Sequence, residues 1–214
     1  MLENKKAVIF DLDGTLADSM WVWDEIDEDF FGSRNLTPPH NFLIDIEGMS
    51  FTETADHFIK TFHLTESIEE LKSLWNQAAL DKYRHKVSLK RGALDFLKQI
   101  RENGYKTGIA SSNSPELVQA FLDAQKLHPY IDVITTSCEV EKGKPAPDVY
   151  LETASRLEVL PSDCLVFEDV PAGIIAGKTA GMNVCAVFDI ASESQNSEKM
   201  ELADYYIEDF TEVL

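Results

Sequence analysis

The sequence predicts an α/β fold: a Rossmann-like parallel sheet core with helices on both faces, plus an inserted all-helical cap domain. Three observations predict it. Ala7-Val8-Ile9-Phe10 is a short apolar, β-rich run that passes straight into Asp11-Leu12-Asp13-Gly14, the pattern of a buried strand ending in a turn. About seventy residues of helical periodicity follow without a strand pattern. From about residue 88 helices and strands alternate, which implies a parallel sheet with right-handed crossovers. Residues 1–16 and 88–214 are therefore assigned to the core and 17–87 to the cap, with hinges near 16–18 and 86–90.

In the cap segment, Met20, Trp23, Ile26 and Phe30 form one apolar stripe over about 19–32. Thr37-Pro38-Pro39 restarts the chain as a short helix that Gly48 stops. Ser50-Phe51-Thr52-Glu53 is a capping box for a helix burying Ala55, Phe58, Ile59 and Phe62. Ser67-Ile68-Glu69-Glu70 is another, for a helix carrying Leu71, Leu74, Trp75 and Ala78. Four helices in succession make a small bundle separate from the first strand.

In the core segment a helix around Leu94, Leu97 and Ile100 ends at Gly104, and Tyr105–Ala110 forms the second strand. Ser114-Pro115 opens a helix through Leu117, Val118, Phe121 and Leu122, and Ile131–Ile134 forms the third strand. Pro147 opens the next helix, with Ala154 and Leu157 on its face. Leu165–Phe167, a small-residue helix from about Pro171 to Ala180, and Val184–Phe188 complete the alternation, and Tyr205–Ile207 supplies an edge strand.

Composition narrows the partners. In 214 residues, 44% are hydrophobic, enough for a sizeable core. No run of about 18 apolar residues exists, so no membrane span is expected, and the N-terminus lacks a signal-peptide pattern. The formal charge of −19 argues against nucleic acid or an anionic membrane as partner. A small anionic substrate stays compatible, because local donors and a metal outweigh a screened global field. The acidic run Asp24, Glu25, Asp27, Glu28 and Asp29 reads as a solvated helix face. Cys138, Cys164 and Cys185 are odd in number and lack metal-ligand spacing, which suits a reducing cytoplasm. A monomer is the expected state.

Ligands of an open α/β sheet bind beyond the carboxyl ends of its strands, so the residues that end each strand indicate the chemistry. The first strand ends in Asp11 and Asp13. The second ends in Ser111-Ser112-Asn113, hydroxyl and amide donors leading into a helix N-terminus. After the third, Gly143-Lys144-Pro145-Ala146-Pro147-Asp148 places a lysine in a rigid turn, and the fourth ends in Glu168-Asp169. These groups suit phosphoryl transfer. Asp11 and Asp169, with a main-chain carbonyl, offer hard oxygens to Mg²⁺. Lys144, Ser111 and nearby amides would hold the phosphoryl oxygens. Asp11 can act as nucleophile to form an aspartyl-phosphate, and Asp13 as proton donor to the leaving oxygen and then base for water.

Asp11-Leu12-Asp13-Gly14-Thr15, Ser111, Gly143-Lys144-Pro145-Ala146-Pro147-Asp148 and Glu168-Asp169 resemble the four motifs of the haloacid dehalogenase superfamily. The likeness spans nearly the whole chain. Lys144 to Asp148 and Glu168-Asp169-Val170-Pro171-Ala172-Gly173 resemble the β-phosphoglucomutase-like phosphatase branch in particular. The resemblance implies a Mg²⁺-dependent phosphatase of a small phosphorylated metabolite, a sugar phosphate or nucleotide. It implies Asp11, Asp13, Ser111 and Lys144 as catalytic, and Asp11, Leu12, Asp13, Ser111, Ser112, Asn113 and Lys144 on the phosphate. Asp11, Asp13 through its carbonyl, Asp169 and nearby Glu168 would serve the metal. Alternatives are a sugar phosphomutase and a catalytically silent binding module on the same fold. Two departures weigh against the mutase: Phe51 stands where mutases of this branch carry arginine, and Trp23 near where they carry histidine. Asp13 argues against a true dehalogenase. The absence of lysine between Thr15 and Thr54 argues against a phosphonate hydrolase.

Overall fold

Ala7, Val8, Ile9 and Phe10 are all fully buried, as a strand covered on both faces requires. In the computed structural model, which describes all 214 residues, they form β1 (Ala7–Phe10). The chain continues through β2 (Ala17–Asp18), α1 (Met20–Arg34), α2 (Phe42–Asp45), α3 (Phe51–Phe62), α4 (Ile68–His85) and β3 (Ser88–Leu89). It then runs α5 (Ala93–Glu102), β4 (Lys106–Ser111), α6 (Pro115–Gln125), β5 (Val133–Thr136), α7 (Asp148–Arg156) and β6 (Cys164–Glu168). Last come α8 (Pro171–Thr179), β7 (Asn183–Val187), α9 (Asn196–Leu202) and β8 (Tyr205–Ile207).

Six strands form one parallel sheet in the order β5-β4-β1-β6-β7-β8. The chain builds outward from β1 to β4 and β5, then crosses back to β6, β7 and β8. The switch point lies at β1, and a crevice opens there beyond the strand ends. Alternation along β1 divides the interior. Val8 and Phe10 join the apolar cluster of α5, α6 and the helical insert, while Ala7 and Ile9 join that of α7 and α8. Phe10 stacks on Phe167 at 5.3 Å, and Phe96 and Phe210 close around them. This aromatic block supports the strand ends that carry Asp11 and Glu168.

Helices α1 to α4 lie between β2 and β3, outside the sheet. Both capping boxes form as expected, from Ser50 with Glu53 and from Ser67 with Glu70. Phe30, Phe31, Phe42, Phe58 and Trp75 interlock as an aromatic core, with Phe42 and Phe58 centroids 4.8 Å apart. The bundle is not isolated. Its core is continuous with that around Phe10 and Phe96, and both packing and hydrogen bonds tie it to the sheet domain. Ser114 Oγ donates to Asn76 Oδ1 (2.6 Å), Ser112 Oγ to Gly48 O (2.9 Å), and Gly143 N–H to Glu53 Oε2 (3.1 Å).

The structure corrects several local expectations. In α4 the buried row is Leu71, Trp75, Ala79 and Tyr83, while Leu74 and Ala78 face solvent. That i, i+4 ridge is the one that packs along α1 and α3, and it carries Tyr83 toward the sheet. The segment from Thr37 stays irregular except for α2, because residues preceding proline are kept out of the helical region. The third strand starts at Val133, since the Asp132 carboxylate accepts from the Thr107 N–H and Arg101. The junctions at 16–18 and 86–90 contain an antiparallel ribbon, with Ala17 opposite Leu89 and Asp18 opposite Ser88.

Candidate active site

Asp11 follows β1 directly, and its N–H donates to Phe167 O on β6 (3.0 Å), which fixes it beside Glu168 and Asp169. Carboxylate oxygens of Asp11, Glu168 and Asp169, all buried, lie within 4.8 Å of one another. Lys144, from the loop after β5, reaches into this group. Its Nζ lies 2.5 Å from both Asp11 Oδ1 and Glu168 Oε1, and it also donates to Ala110 O at 3.1 Å. The ammonium therefore has all three protons engaged, and a phosphate could receive one only by displacing a present acceptor.

Three buried carboxylates cluster around this one ammonium, so ionising all of them is costly. Burial pushes the Asp11 carboxyl up to about 8, despite the opposing pull of Lys144. Burial and the neighbouring Asp11 also raise Asp169 well above the usual carboxylate range. Burial opposes the charge on Lys144, yet Asp11 and Glu168 hold its ammonium more firmly than in water. Hard, clustered oxygens with unneutralised charge fit a Mg²⁺-type cation. Asp11, Asp169 and Glu168 would hold it, whereas the Asp13 side chain lies outside the cluster, leaving only its carbonyl as a donor.

The fit around the carboxylates is tight. Gly14 has φ +81°, and a Cβ there would come within 2.1 Å of Asp169 Oδ2. A Cβ on Gly173, at the start of α8, would meet the Glu168 carboxylate at 2.0 Å. Thr15 Oγ1 donates to Asp169 Oδ1 (3.0 Å), and Tyr150 donates its hydroxyl to Glu168 Oε1. Buried Lys199 donates to Ser192 Oγ (2.9 Å), which donates to Asp169 O (2.8 Å).

Asp13 is held by three donors. Ser19 Oγ approaches Oδ1 at 2.6 Å, Tyr83 donates its hydroxyl to the same oxygen, and Asn113 Nδ2 donates to Oδ2 at 2.8 Å. Trp23 Nε1 in turn donates to the Tyr83 hydroxyl at 3.2 Å. Asp13 is thus tied to α1, α4 and the turn after β4 together.

Asp11, Asp13, Ser111, Lys144 and Asp169 all open on one cavity of about 370 Å³ between the sheet edge and the insert. Ser111 lines it nearly fully buried, its oxygen accepting from Asn113 N–H at 3.1 Å. Leu12 is fully buried in the core and does not line the cavity. Two expected phosphate ligands are differently employed. Ser112 spends its hydroxyl on Gly48 O, and Asn113 spends its amide on Asp13 and Tyr83. Both ends of the Asn113 amide are bonded, its Oδ1 taking the Ser114 N–H. Asp24 and Asp27, read as part of a solvated face, also line the cavity, because α1 turns that edge toward the sheet. Glu25 pairs outside it with Lys82 at 2.6 Å.

The model of the haloacid dehalogenase-like hydrolase family matches residues 8–187. The chain belongs to this family. It is 30% identical over 209 residues to validoxylamine A 7'-phosphate phosphatase of Streptomyces hygroscopicus subsp. limoneus, covering 97% of this chain and 95% of the relative. It is 31% identical over 191 residues to β-phosphoglucomutase of Bacillus subtilis, covering 83% and 80%. CbbY from Rhodobacter sphaeroides, solved in complex with phosphate, superposes with a TM-score of 0.85 at 21% identity, covering 98% and 96%, a likeness of fold. Family and relatives make this haloacid dehalogenase-like hydrolase an enzyme of the phosphatase kind. No helix is long and apolar enough to cross a membrane.

Proposed function

We propose that this hydrolase cleaves a small phosphomonoester through an aspartyl-phosphate on Asp11. The observation that carries the reading is the convergence of Asp11, Lys144 and the Glu168-Asp169 pair at the switch point, with Asp13 two residues on, all beside one cavity. An Asp11 oxygen attacks phosphorus, the phosphorus–oxygen bond to the alcohol breaks, and Asp13 gives its proton to the departing oxygen. Asp13 must turn from Ser19 and Tyr83 to do so, so the reactive arrangement requires a shift of α1 and α4 as substrate enters. Ser111 and Lys144 hold the phosphoryl oxygens as Asp11 is consumed as an ion-pair partner. In the second step Asp13 takes a proton from water, which attacks the aspartyl-phosphate and frees Asp11. Held by Asp11, Glu168 and Asp169, a Mg²⁺ would supply charge neutralisation for the phosphoryl group. The helical insert is the cap of the site and excludes bulk water during the first step.

The phosphomutase reading draws support from the B. subtilis relative. Against it, Phe51 is buried against Trp23 and Trp75, and Lys144 is the sole cation lining the cavity. A mutase needs a second cationic grip for a bisphosphate held in either direction. The test is phosphate release from p-nitrophenyl phosphate with Mg²⁺. Release that EDTA abolishes and Mg²⁺ restores is expected; a chain inert toward every phosphomonoester would overturn the proposal.

A further inference from the structure

The wall of the cavity supplied by the helical insert has an unusual charge pattern. Its lining includes Asp24 and Asp27, one helical turn apart on α1, and Glu47 just after α2. No cation balances them, because Lys144 is already engaged with Asp11 and Glu168. Lys82, Arg84 and Lys86 do not line the cavity. Glu47 accepts from Gln195 Nε2 at 2.9 Å, but Asp27 is half-buried with neither a hydrogen bond nor an ion pair. Burial and the adjacent Asp24 push its carboxyl up to about 7.

Two further polar atoms beside this cavity lack partners. Trp75 is 3% exposed, lines the cavity, and its Nε1–H meets no acceptor. Gln195 lines it from the opposite side, and its buried Oε1 receives no donor. Buried polar groups without partners are rare and costly. Both belong to residues that line the cavity, whose apolar lining includes Ile46, Met49 and Phe51.

Resting on the phosphatase reading, we propose that this wall of the cavity selects phosphomonoesters whose alcohol portion carries hydroxyl or ammonium donors and no second anionic group, with Asp27 and Asp24 as specificity-determining acceptors. A hydroxyl or ammonium there gives Asp27 the donor it lacks, as a charge-assisted hydrogen bond. A carboxylate or phosphate at that position would face the Asp24 and Asp27 carboxylates in a partly desolvated space, a like-charge arrangement that costs several-fold to many-fold in affinity.

The experiment compares six-carbon phosphomonoesters that differ in their remote substituents: glucitol 6-phosphate, glucosamine 6-phosphate, 6-phosphogluconate and fructose 1,6-bisphosphate. Wild-type kcat/KM should favour the first two over the last two by at least about tenfold. The Asp24→Asn/Asp27→Asn variant should narrow that ratio, chiefly through KM of the two remotely anionic substrates, and Asp27→Asn alone should narrow it in part. Equal efficiencies, or a preference for 6-phosphogluconate, would overturn the inference while leaving the phosphatase reading intact. A ratio indifferent to both variants would overturn the assignment to Asp24 and Asp27. Failure to release phosphate even from p-nitrophenyl phosphate would instead overturn the underlying reading.

Discussion

Replacing Gly173 with alanine opposes a local gain to a tertiary loss. Gly173 lies in the first turn of α8, where alanine is favoured over glycine by about 1 kcal/mol. Its backbone needs no left-handed conformation, so sequence alone would rank Gly173→Ala as stabilising. The added Cβ, however, would sit 2.0 Å from Glu168 Cδ and Oε1. Glu168 has nowhere to retreat, since it is fully buried and bonded to Lys144 and Tyr150. Displacing it breaks a buried ion pair, a loss of about 3–5 kcal/mol. Subtracting the helical gain leaves a net destabilisation of about 3 kcal/mol, or a fall in Tm of roughly 10 °C for a chain of this length. Thermal melts of wild type, Gly173→Ala, Glu168→Asp and the double variant test this. Shortening Glu168 by one methylene makes room for the methyl, so the double variant should recover part of the loss. A Gly173→Ala protein that melts above wild type would refute the account of how Glu168 is fixed.

Two other outcomes follow from the same geometry. The Asp27 carboxyl is raised to about 7 in the folded chain, against about 3.9 when unfolded, so the folded state holds an extra proton between these values. The stability linked to that proton is complete below about pH 4 and lost as pH rises through about 7; Asp27→Asn should therefore gain in Tm over wild type at pH 8 but not at pH 4, and a gain independent of pH would contradict the assignment. The insert is docked on the sheet domain through hydrogen bonds such as Ser112 Oγ to Gly48 O and Gln195 Nε2 to Glu47 Oε2. Solution scattering should show a more extended free enzyme that contracts with Mg²⁺ and BeF₃⁻, and an unchanged profile with confirmed analogue binding would count against a moving cap.

The strand ends were legible in the sequence because their functional residues adjoin apolar runs. Asp11, Ser111 and Glu168 each follow or finish a buried strand, and parallel pairing brings such ends to one edge without further information. The surrounding shell was less legible because it depends on helix phase over long distances. Tyr83 is seventy residues from Asp13 in sequence, and only the Leu71-Trp75-Ala79-Tyr83 ridge, not the expected face, delivers it. Ser19 has the look of a helix N-cap, yet its side chain makes no capping bond and serves Asp13 instead. Asp24 and Asp27 were concealed within an acidic run; their i, i+4 spacing from Met20 and Trp23 was the available signal that they share an edge of α1 with the cavity. Lys199 and Ser192 fall in a stretch without a recognisable motif, and only the closing of α9 onto β7 brings them under Asp169.

The central claim is that Asp11 forms the covalent intermediate, and trapping it is the most direct measurement. The enzyme is mixed with Mg²⁺ and a turned-over phosphomonoester, quenched in acid during the steady state, and reduced with borohydride, which converts an acyl phosphate to the corresponding alcohol. Peptide mass spectrometry should then find homoserine at position 11 in the substrate-treated enzyme and nowhere else, with no such product and no turnover in Asp11→Asn. Reduction at Asp13 or Asp169, or sustained turnover by a Mg²⁺-saturated Asp11→Asn enzyme free of wild type, would contradict the mechanism.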